Sequence, residues 1–201
     1  FCGVQIQQIP EQHWLKLHQE AYTTELLSKY GVNTNRPVDT PMDPGTAKAM
    51  MLLPTESATK ESIKAYQEIV GALMWLMRTR PDLLFTVNLL SRFLKNATQK
   101  HVDLVLGRPL KYLAATPAYG IVFSPGEGNW YLSGAADSDL AGDLASARST
   151  SGTMTKIGEF GNLSCASRLD RKVSTSTGQA ETYAFQELCK EVIWARLLLH
   201  E

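Results

Sequence analysis

Apolar positions recur at two different periods along the chain, and the change of period divides it. FCGVQIQ at residues 1–7 alternates apolar and polar, and Trp14, Leu15 and Leu17 mark a second short strand. Leu26 and Leu27 sit at helical spacing within Tyr22 to Tyr30, with Gly31 as a stop. Pro37, Pro41, Pro44 and Pro54, with little apolar periodicity, predict a loop or linker from Asn33 to Thr59. Ile63, Tyr66, Val70, Leu73 and Met77 then form one apolar helical face. Arg80–Pro81 interrupts it, and Pro81 suits the first turn of a new helix carrying Leu83, Val87, Leu90 and Leu94. A third helix is expected from Thr98, as N-cap, through Val102 and Leu106 to Tyr112 and Leu113. Pro109 lies inside it and is expected to kink or break it, since a straight helix would cost about 3 kcal/mol there.

After Pro117 the period becomes that of strands. Ile121–Phe123 and Trp130–Ala136 flank the turn SPGEGN, which predicts a hairpin, and Ser149–Ile157 and Leu163–Ser167 flank a second turn, GEFGN. Ser176, followed three residues later by Gln179, resembles a capping box for a long helix over Ala180 to Leu199. Its buried face is expected to hold Ala184, Leu188, Val192, Ala195 and Leu199. Trp75 and Trp194 lie in apolar helical contexts and are expected in cores. Strands followed by a helix make an α/β module.

Composition narrows the class. In 201 residues, 44% hydrophobic and 20% charged content excludes a disordered tail, a collagen-like repeat and a disulfide scaffold. No apolar run approaches the ~20 residues of a membrane helix. The chain begins at Phe1 rather than Met and ends at Glu201 after an apolar run, so both ends read as cut, and nothing reads as a secretion signal. Cys2, Cys165 and Cys189 fall in no metal or redox spacing and read as small hydrophobes in a reducing compartment. His13 and His18 sit five apart on a strand, on opposite faces, which argues against a shared metal.

Charge changes the picture more. Twenty bases balance twenty acids, but residues 1–59 carry four bases and six acids, residues 60–116 nine bases and four acids, and residues 117–201 seven bases and ten acids. A basic, helical middle therefore lies between mildly acidic flanks.

The densest chemistry is the stretch Ala-Ala-Asp137-Ser-Asp139-Leu-Ala-Gly-Asp143. Asp137 ends an apolar strand, where packing gives no reason for a carboxylate, and alternation puts Asp139 on the same face if the strand continues. Two such acids can hold a hard divalent cation through oxygen. Equally, Asp, Ser and Gly after a strand form turns and caps. Glu181, in the first turn of the last helix, suits the helix dipole and either faces solvent or points toward a strand end.

Several segments carry a family resemblance in order: FCGVQI, LHQEAYTTELLSKYGV, RPVDTPMDP, YQEIVGALMWLMRTRPDLLFTVNLLSRFL, KYLAATPAYGIVF, AADSDLAGD, ARSTSG and ETYAFQELCKEVIW. Together they resemble a copia-type LTR retrotransposon polyprotein over nearly the whole chain. The resemblance implies the end of a reverse-transcriptase palm and a linker over 1–59, a helical thumb and connection over 60–116, and an incomplete ribonuclease H-like sheet-plus-helix module over 117–201. The fold class implied is α/β, with a short β-hairpin before the helices. It also implies Mg²⁺-dependent cleavage of RNA in RNA–DNA hybrids by the parent protein, acting inside the cell, in cytoplasm or nucleus. Asp137 and Glu181 fall on the family's first two metal ligands, with Asp139 as an auxiliary acid. The family's Glu before Glu181 is Gln179 here, its Thr is Gly178, and two family tryptophans are Leu140 and Cys165. Two-metal hydrolysis needs carboxylates that hold both ions about 3.5–4 Å apart. The family's later ligands would fall beyond Glu201 and its polymerase Asp-Asp turn before Phe1, so the segment alone is expected to bind Mg²⁺ weakly and not to cut.

Nucleic acid and the rest of the polyprotein are the implied partners. Arg78, Arg80, Arg92, Lys95 and Lys111, within a set that also includes Lys60, Lys64, Lys100 and Arg108, would track phosphates independently of sequence. The other reading of these bases is the solvated face of amphipathic helices. The other reading of the whole chain is a non-catalytic relic or co-opted binding protein that keeps the scaffold.

Overall fold

The computed structural model describes residues 3–32, 38–124, 131–158 and 161–200. Within them the chain is mixed α/β, with two small antiparallel sheets. It divides into a helical unit, Phe1–Gln5 with His18–Gly120, and a sheet unit, Ile6–Leu17 with Ile121–Glu201. The strands β1 (Gln5–Ile9) and β2 (Trp14–His18) are the short pair expected near the start. His13 lies just ahead of β2 with φ 53°, rather than on the strand with His18.

The helical unit is assembled at capped helix starts. Helix α1 (Glu20–Lys29) is followed by α2 (Pro44–Leu52), inside the segment expected to be a loop. Its start explains the difference. The Asp43 carboxylate accepts from the amides of Gly45 and Thr46 at 2.9 and 3.1 Å, and Pro44 at the first helical position has no amide to satisfy. The Thr46 hydroxyl, which also donates to this carboxylate, and the Thr46 amide, with Arg108 3.2 Å away, hold the Asp43 carboxyl below its ordinary pKa. Helix α3 (Lys60–Leu76) starts with a reciprocal cap: Ser62 N–H donates to Thr59 Oγ1 at 3.1 Å and Thr59 N–H to Ser62 Oγ at 3.0 Å.

Tyr66, Ile69, Val70, Leu73 and Leu76 make the buried face of α3. They join a core with Leu83, Val87, Leu90, Val102, Val105, Leu110 and Leu113. Pro81 begins a 3₁₀ turn (Pro81–Leu83) rather than the helix itself, which follows as α4 (Leu84–Ser91) and leaves Leu94 beyond its end. Helix α5 (Gln99–Ala115) runs on through Pro109. The proline ring is buried among the core residues, so packing outweighs the one backbone bond that it removes.

The cap of α5 uses a histidine. Thr98 N–H donates to His101 Nδ1 at 3.1 Å, which places the ring proton on Nε2, a buried atom with no partner among the described residues. The ring lies against Tyr66 and Phe93, and burial lowers its pKa. Burial likewise pushes the Tyr66 phenol up.

Arg80 is not a surface cation. Its side chain is 2% exposed. The guanidinium donates to Asp82 at 2.7 Å, to the Thr116 carbonyl at 2.8 Å and to Thr116 Oγ1 at 2.8 Å, with the rings of Tyr112 and Tyr119 each 5.4 Å away. Tyr112 donates its hydroxyl to the same Asp82 carboxylate at 2.8 Å. The assignment of Arg80 as a phosphate contact is therefore corrected: every donor face is spent on joining the turn after α3 to the end of α5.

In the sheet unit, β3 (Gly120–Phe123) pairs into the order β1-β2-β3, while β4 (Leu132–Ser138) begins a separate sheet, β4-β5-β6, with β5 (Thr150–Ile157) and β6 (Gly161–Leu169). The hairpin expected around SPGEGN is thus not formed, because alternation identifies a strand without choosing its partner; residues 125–130 of that turn lie outside the described residues. The second hairpin is formed by β5 and β6, with Thr150 opposite Leu169, and β4 pairs with the other side of β5, with Leu132 opposite Ile157 and Asp137 opposite Gly152. Helix α6 (Thr177–His200) packs on β4 and β5. A Cβ at Gly134 would stand 2.7 Å from Leu188 Cδ1, so the helix seats Leu188 directly on that glycine. The covered face therefore carries Gly134, Ala136 and Ser138, with Thr155, Thr153 and Ser151 across from them. Ala184, Leu188 and Ala195 are buried as expected, whereas Trp194 and Leu199 are each 53% exposed, since the helix buries only the side resting on two strands.

Replacing Arg80 by Met is expected to cost about 3 kcal/mol of stability in denaturant titration, because the Asp82 carboxylate and the Thr116 carbonyl lose their donors. The neutral His101 stabilises the fold fully above its ordinary pKa of 6.5 and loses that contribution as pH falls below it, since the unfolded chain then binds the extra proton. His101→Gln keeps a capping side chain without titrating. Its thermal midpoint should fall less than the wild type's between neutral pH and pH 5, and equal losses would refute the assignment.

Candidate functional site

Local bonding decides what the acidic stretch can do. Ser138 ends β4, and the chain returns through residues 139–149, where Ala141 and Ala147 both take positive φ, 55° and 53°. Two carboxylates hold this loop in shape. Asp139 Oδ1 accepts from the Thr150 amide, and a Cβ at Gly142 would collide with its other oxygen. Asp143 is buried, and its Oδ2 accepts from the Ser146 amide at 2.9 Å and from the Ser146 hydroxyl. Asp139 is therefore a clasp across the β4–β5 hairpin rather than the continuation of β4 on Asp137's face. Its auxiliary role at a metal is corrected accordingly.

Asp137 lies one residue from the end of β4, exposed, opposite Gly152. Alternation turns its side chain to the sheet face that α6 does not cover. Glu181 is exposed on α6, but the helix starts at Thr177, three residues earlier than expected, so Glu181 is its fifth residue and the first turn carries no acid. The cap itself forms much as the residues foretell: Gln179 N–H donates to Ser176 Oγ at 3.2 Å, while Gln179 Oε1 reaches one residue further back, accepting from Thr175 N–H at 2.7 Å. Neither Asp137 nor Glu181 forms a side-chain hydrogen bond or ion pair with a described residue. A two-metal clamp needs several converging ligands, and no group of three or more His, Cys, Asp or Glu side chains able to hold a metal occurs among the described residues. The residues present therefore do not fit a Mg²⁺ pair. Asp137 and Glu181 are two free carboxylates on different elements.

The bases sort by what already holds them. Arg78 is exposed but its guanidinium lies 4.1 Å over the Trp75 ring, whose edge meets Gly3. Arg92 is half-buried and donates to Asn88 at 3.2 Å, and Arg108 donates to Thr40 and pairs with Asp43. Lys95 is exposed, and Lys111 is half-buried on α5. Two long-range bonds then define a junction. Ser62 Oγ donates to the Ala97 carbonyl at 2.7 Å, and Gln67 Nε2 to the Leu94 carbonyl at 2.8 Å. Lys60 and Lys64 on α3, Lys95 in the segment so tied down, and Lys100 in the first turn of α5 flank it, all exposed. The shift from Arg80 to this lysine group was hidden in the sequence, because formal charge carries no record of burial.

The chain is 34% identical over 202 residues to the retrovirus-related Pol polyprotein from transposon RE1 of Arabidopsis thaliana, covering 100% of this chain and 13% of that protein. Against the retrovirus-related Pol polyprotein from transposon TNT 1-94 of Nicotiana tabacum it is 33% identical over 190 residues, 93% of this chain and 14% of that protein. Secreted RxLR effector protein 161 of Plasmopara viticola is 40% identical over 130 residues, 64% of this chain and 89% of that protein. No family model matches the chain, and no solved structure does. The chain spans only 13–14% of the Pol polyproteins it matches, but that match runs along nearly its whole length, in the order of segments from FCGVQI to EVIW. It belongs to the retrovirus-related Pol polyproteins of copia-type transposons.

Proposed function

We propose that this chain is the part of a retroelement Pol polyprotein that joins the thumb and connection of the reverse transcriptase to the first strands of its ribonuclease H domain. On its own it holds an RNA–DNA hybrid and does not cut it. The observation that carries this reading is the junction of α3 with α5, where Lys60, Lys64, Lys95 and Lys100 stand exposed around one seam. Flexible ammonium groups in such a group suit the backbone of a duplex, which is recognised through its phosphates and without regard to sequence. Three antiparallel strands with α6 packed on the first two, and Asp137 near the end of the first, support the ribonuclease H assignment. In that assignment Asp137 and Glu181 are the two acids that the metal site of a larger protein would draw from this segment.

A second reading has its own support. The Plasmopara viticola relative is matched over 89% of its length, so most of that separate protein corresponds to this segment. A binding protein built on the same scaffold would keep the lysine junction and have no use for Asp137.

With a labelled RNA–DNA hybrid, the affinity should fall steeply as salt rises, and Lys64→Glu with Lys95→Glu should weaken binding about tenfold and flatten that slope. A salt-independent response would remove nucleic acid as the partner. In the same mixture with Mg²⁺ the RNA strand should stay intact; cleavage that is abolished by Asp137→Asn would overturn the non-cutting part of the proposal.

A further inference from the structure

Helices α1 and α3 both pack on α5, and a furrow runs between them. Helical spacing turns Tyr22, Glu25 and Lys29 into it from α1, with Tyr30 at the helix end, and Glu68, Gly71 and Trp75 from α3. It encloses about 660 Å³ above the buried side chain of Leu26. Gly71 keeps it wide, since nothing lies within 4 Å of where its Cβ would stand. The three rings are half-buried, whereas Glu25, Lys29 and Glu68 are exposed at the rim. The chain itself shows what such walls accept. The Lys29 ammonium stands 5.2 Å over the Tyr30 ring and 3.6 Å from the Glu68 carboxylate. Tyr30 first, and Glu68 after it, hold that amine above its ordinary pKa, so the furrow favours the charged form. Trp75 carries a second cation, the Arg78 guanidinium, 4.1 Å over its ring. Tyr22 and Glu25 are a further ring and carboxylate of the same kind, earlier on α1. Burial and then Glu25 push the Tyr22 phenol up, which sets that carboxylate beside the ring. Glu25 forms no hydrogen bond or ion pair with a described residue.

We propose that this furrow binds a lysine side chain presented by a basic peptide of a partner protein, with the ammonium against Tyr22 and Glu25. Charge and shape both favour that occupant. An alkylammonium is attracted by the face of a ring and by a carboxylate, and its methylene stem can lie along Leu26 and Ala72 on the furrow floor. The same carboxylates repel a phosphate, so these walls do not suit the backbone of a nucleic acid. The furrow is in this respect the opposite of the seam at Lys60, Lys64, Lys95 and Lys100, and a partner held here would not compete for it by charge. Lys29 is the internal rival. It stands on the same helix, one turn beyond Glu25, and its charge opposes the arrival of a second ammonium. Removing it should therefore help the incoming lysine, whereas removing the Glu25 charge should hinder it.

The test is a titration of the isotope-labelled full chain with a short peptide carrying one lysine among glycines and serines, followed at the Gly71 amide and the Trp75 indole resonances. Both should shift, and the same peptide with its lysine acetylated should leave them in place. Glu25→Gln should weaken binding about threefold, and Lys29→Ala should tighten it by about as much. Both side chains are exposed, so neither change threatens the fold. Gly71→Leu should abolish binding by filling the furrow, and leucine suits a helix better than glycine does. If the wild type and Lys29→Ala both ignore the peptide at millimolar concentration, the proposal is overturned. An equal response to the acetylated peptide overturns it too, as does binding that survives Gly71→Leu. The opposite pair of signs, weakening by Lys29→Ala and tightening by Glu25→Gln, would also overturn it and mark the furrow as a phosphate site.

Discussion

A guanidinium taken out of water needs back every hydrogen bond it gives up, and Arg80 receives them from two distant places. Asp82 lies in the turn immediately after it, and Thr116 lies just past the end of α5. This arrangement fixes where α3 stops, how the chain turns into α4, and where α5 ends. The apolar faces of those helices can then meet in one core. An ion pair of this kind adds little net stability compared with apolar residues of the same shape. Its contribution is to leave the three helix ends one low-energy arrangement, because any other strands a charge without solvent.

The same economy governs the acidic stretch of the sheet unit. A loop with two alanines in left-handed conformations is unfavourable by about 1–2 kcal/mol for each, and bonds to fixed backbone amides offset that. Asp139 and Asp143 make such bonds, and so they are occupied before any ligand arrives. What remains for chemistry is Asp137 on the strand and Glu181 on the helix. Three acids in one short run thus divide into two that shape a loop and one that stays free.

Sequence periodicity was a good guide where one face of an element decides its fate. The spacing from Ile63 to Met77 and the caps at Thr98 and Ser176 all led to helices that exist. It misled where the decision is made by a distant partner. Ile121–Phe123 is a strand, but its neighbour is β2 rather than the strand that follows. Helix α2 was masked by prolines, although Asp43–Pro44 is itself a start signal. Trp194 and Leu199 satisfy a helical period without being buried, because α6 is apolar on more sides than two strands can cover. The candidate acids were legible by resemblance; which of them were already engaged was not, since a hydrogen bond to Thr150 or Ser146 depends on loop geometry.

Ser62 shows how closely two helices can be bound to one another. Its hydroxyl accepts from the Thr59 amide and, with the same oxygen, donates to the Ala97 carbonyl, one residue before the cap of α5. The orientation of a single O–H bond thus serves the beginnings of both α3 and α5. That hydroxyl also lies 3.0 Å from the Thr59 carbonyl, so one proton stands between the start of α3 and the segment leading into α5, although 35 residues separate Ser62 from Ala97.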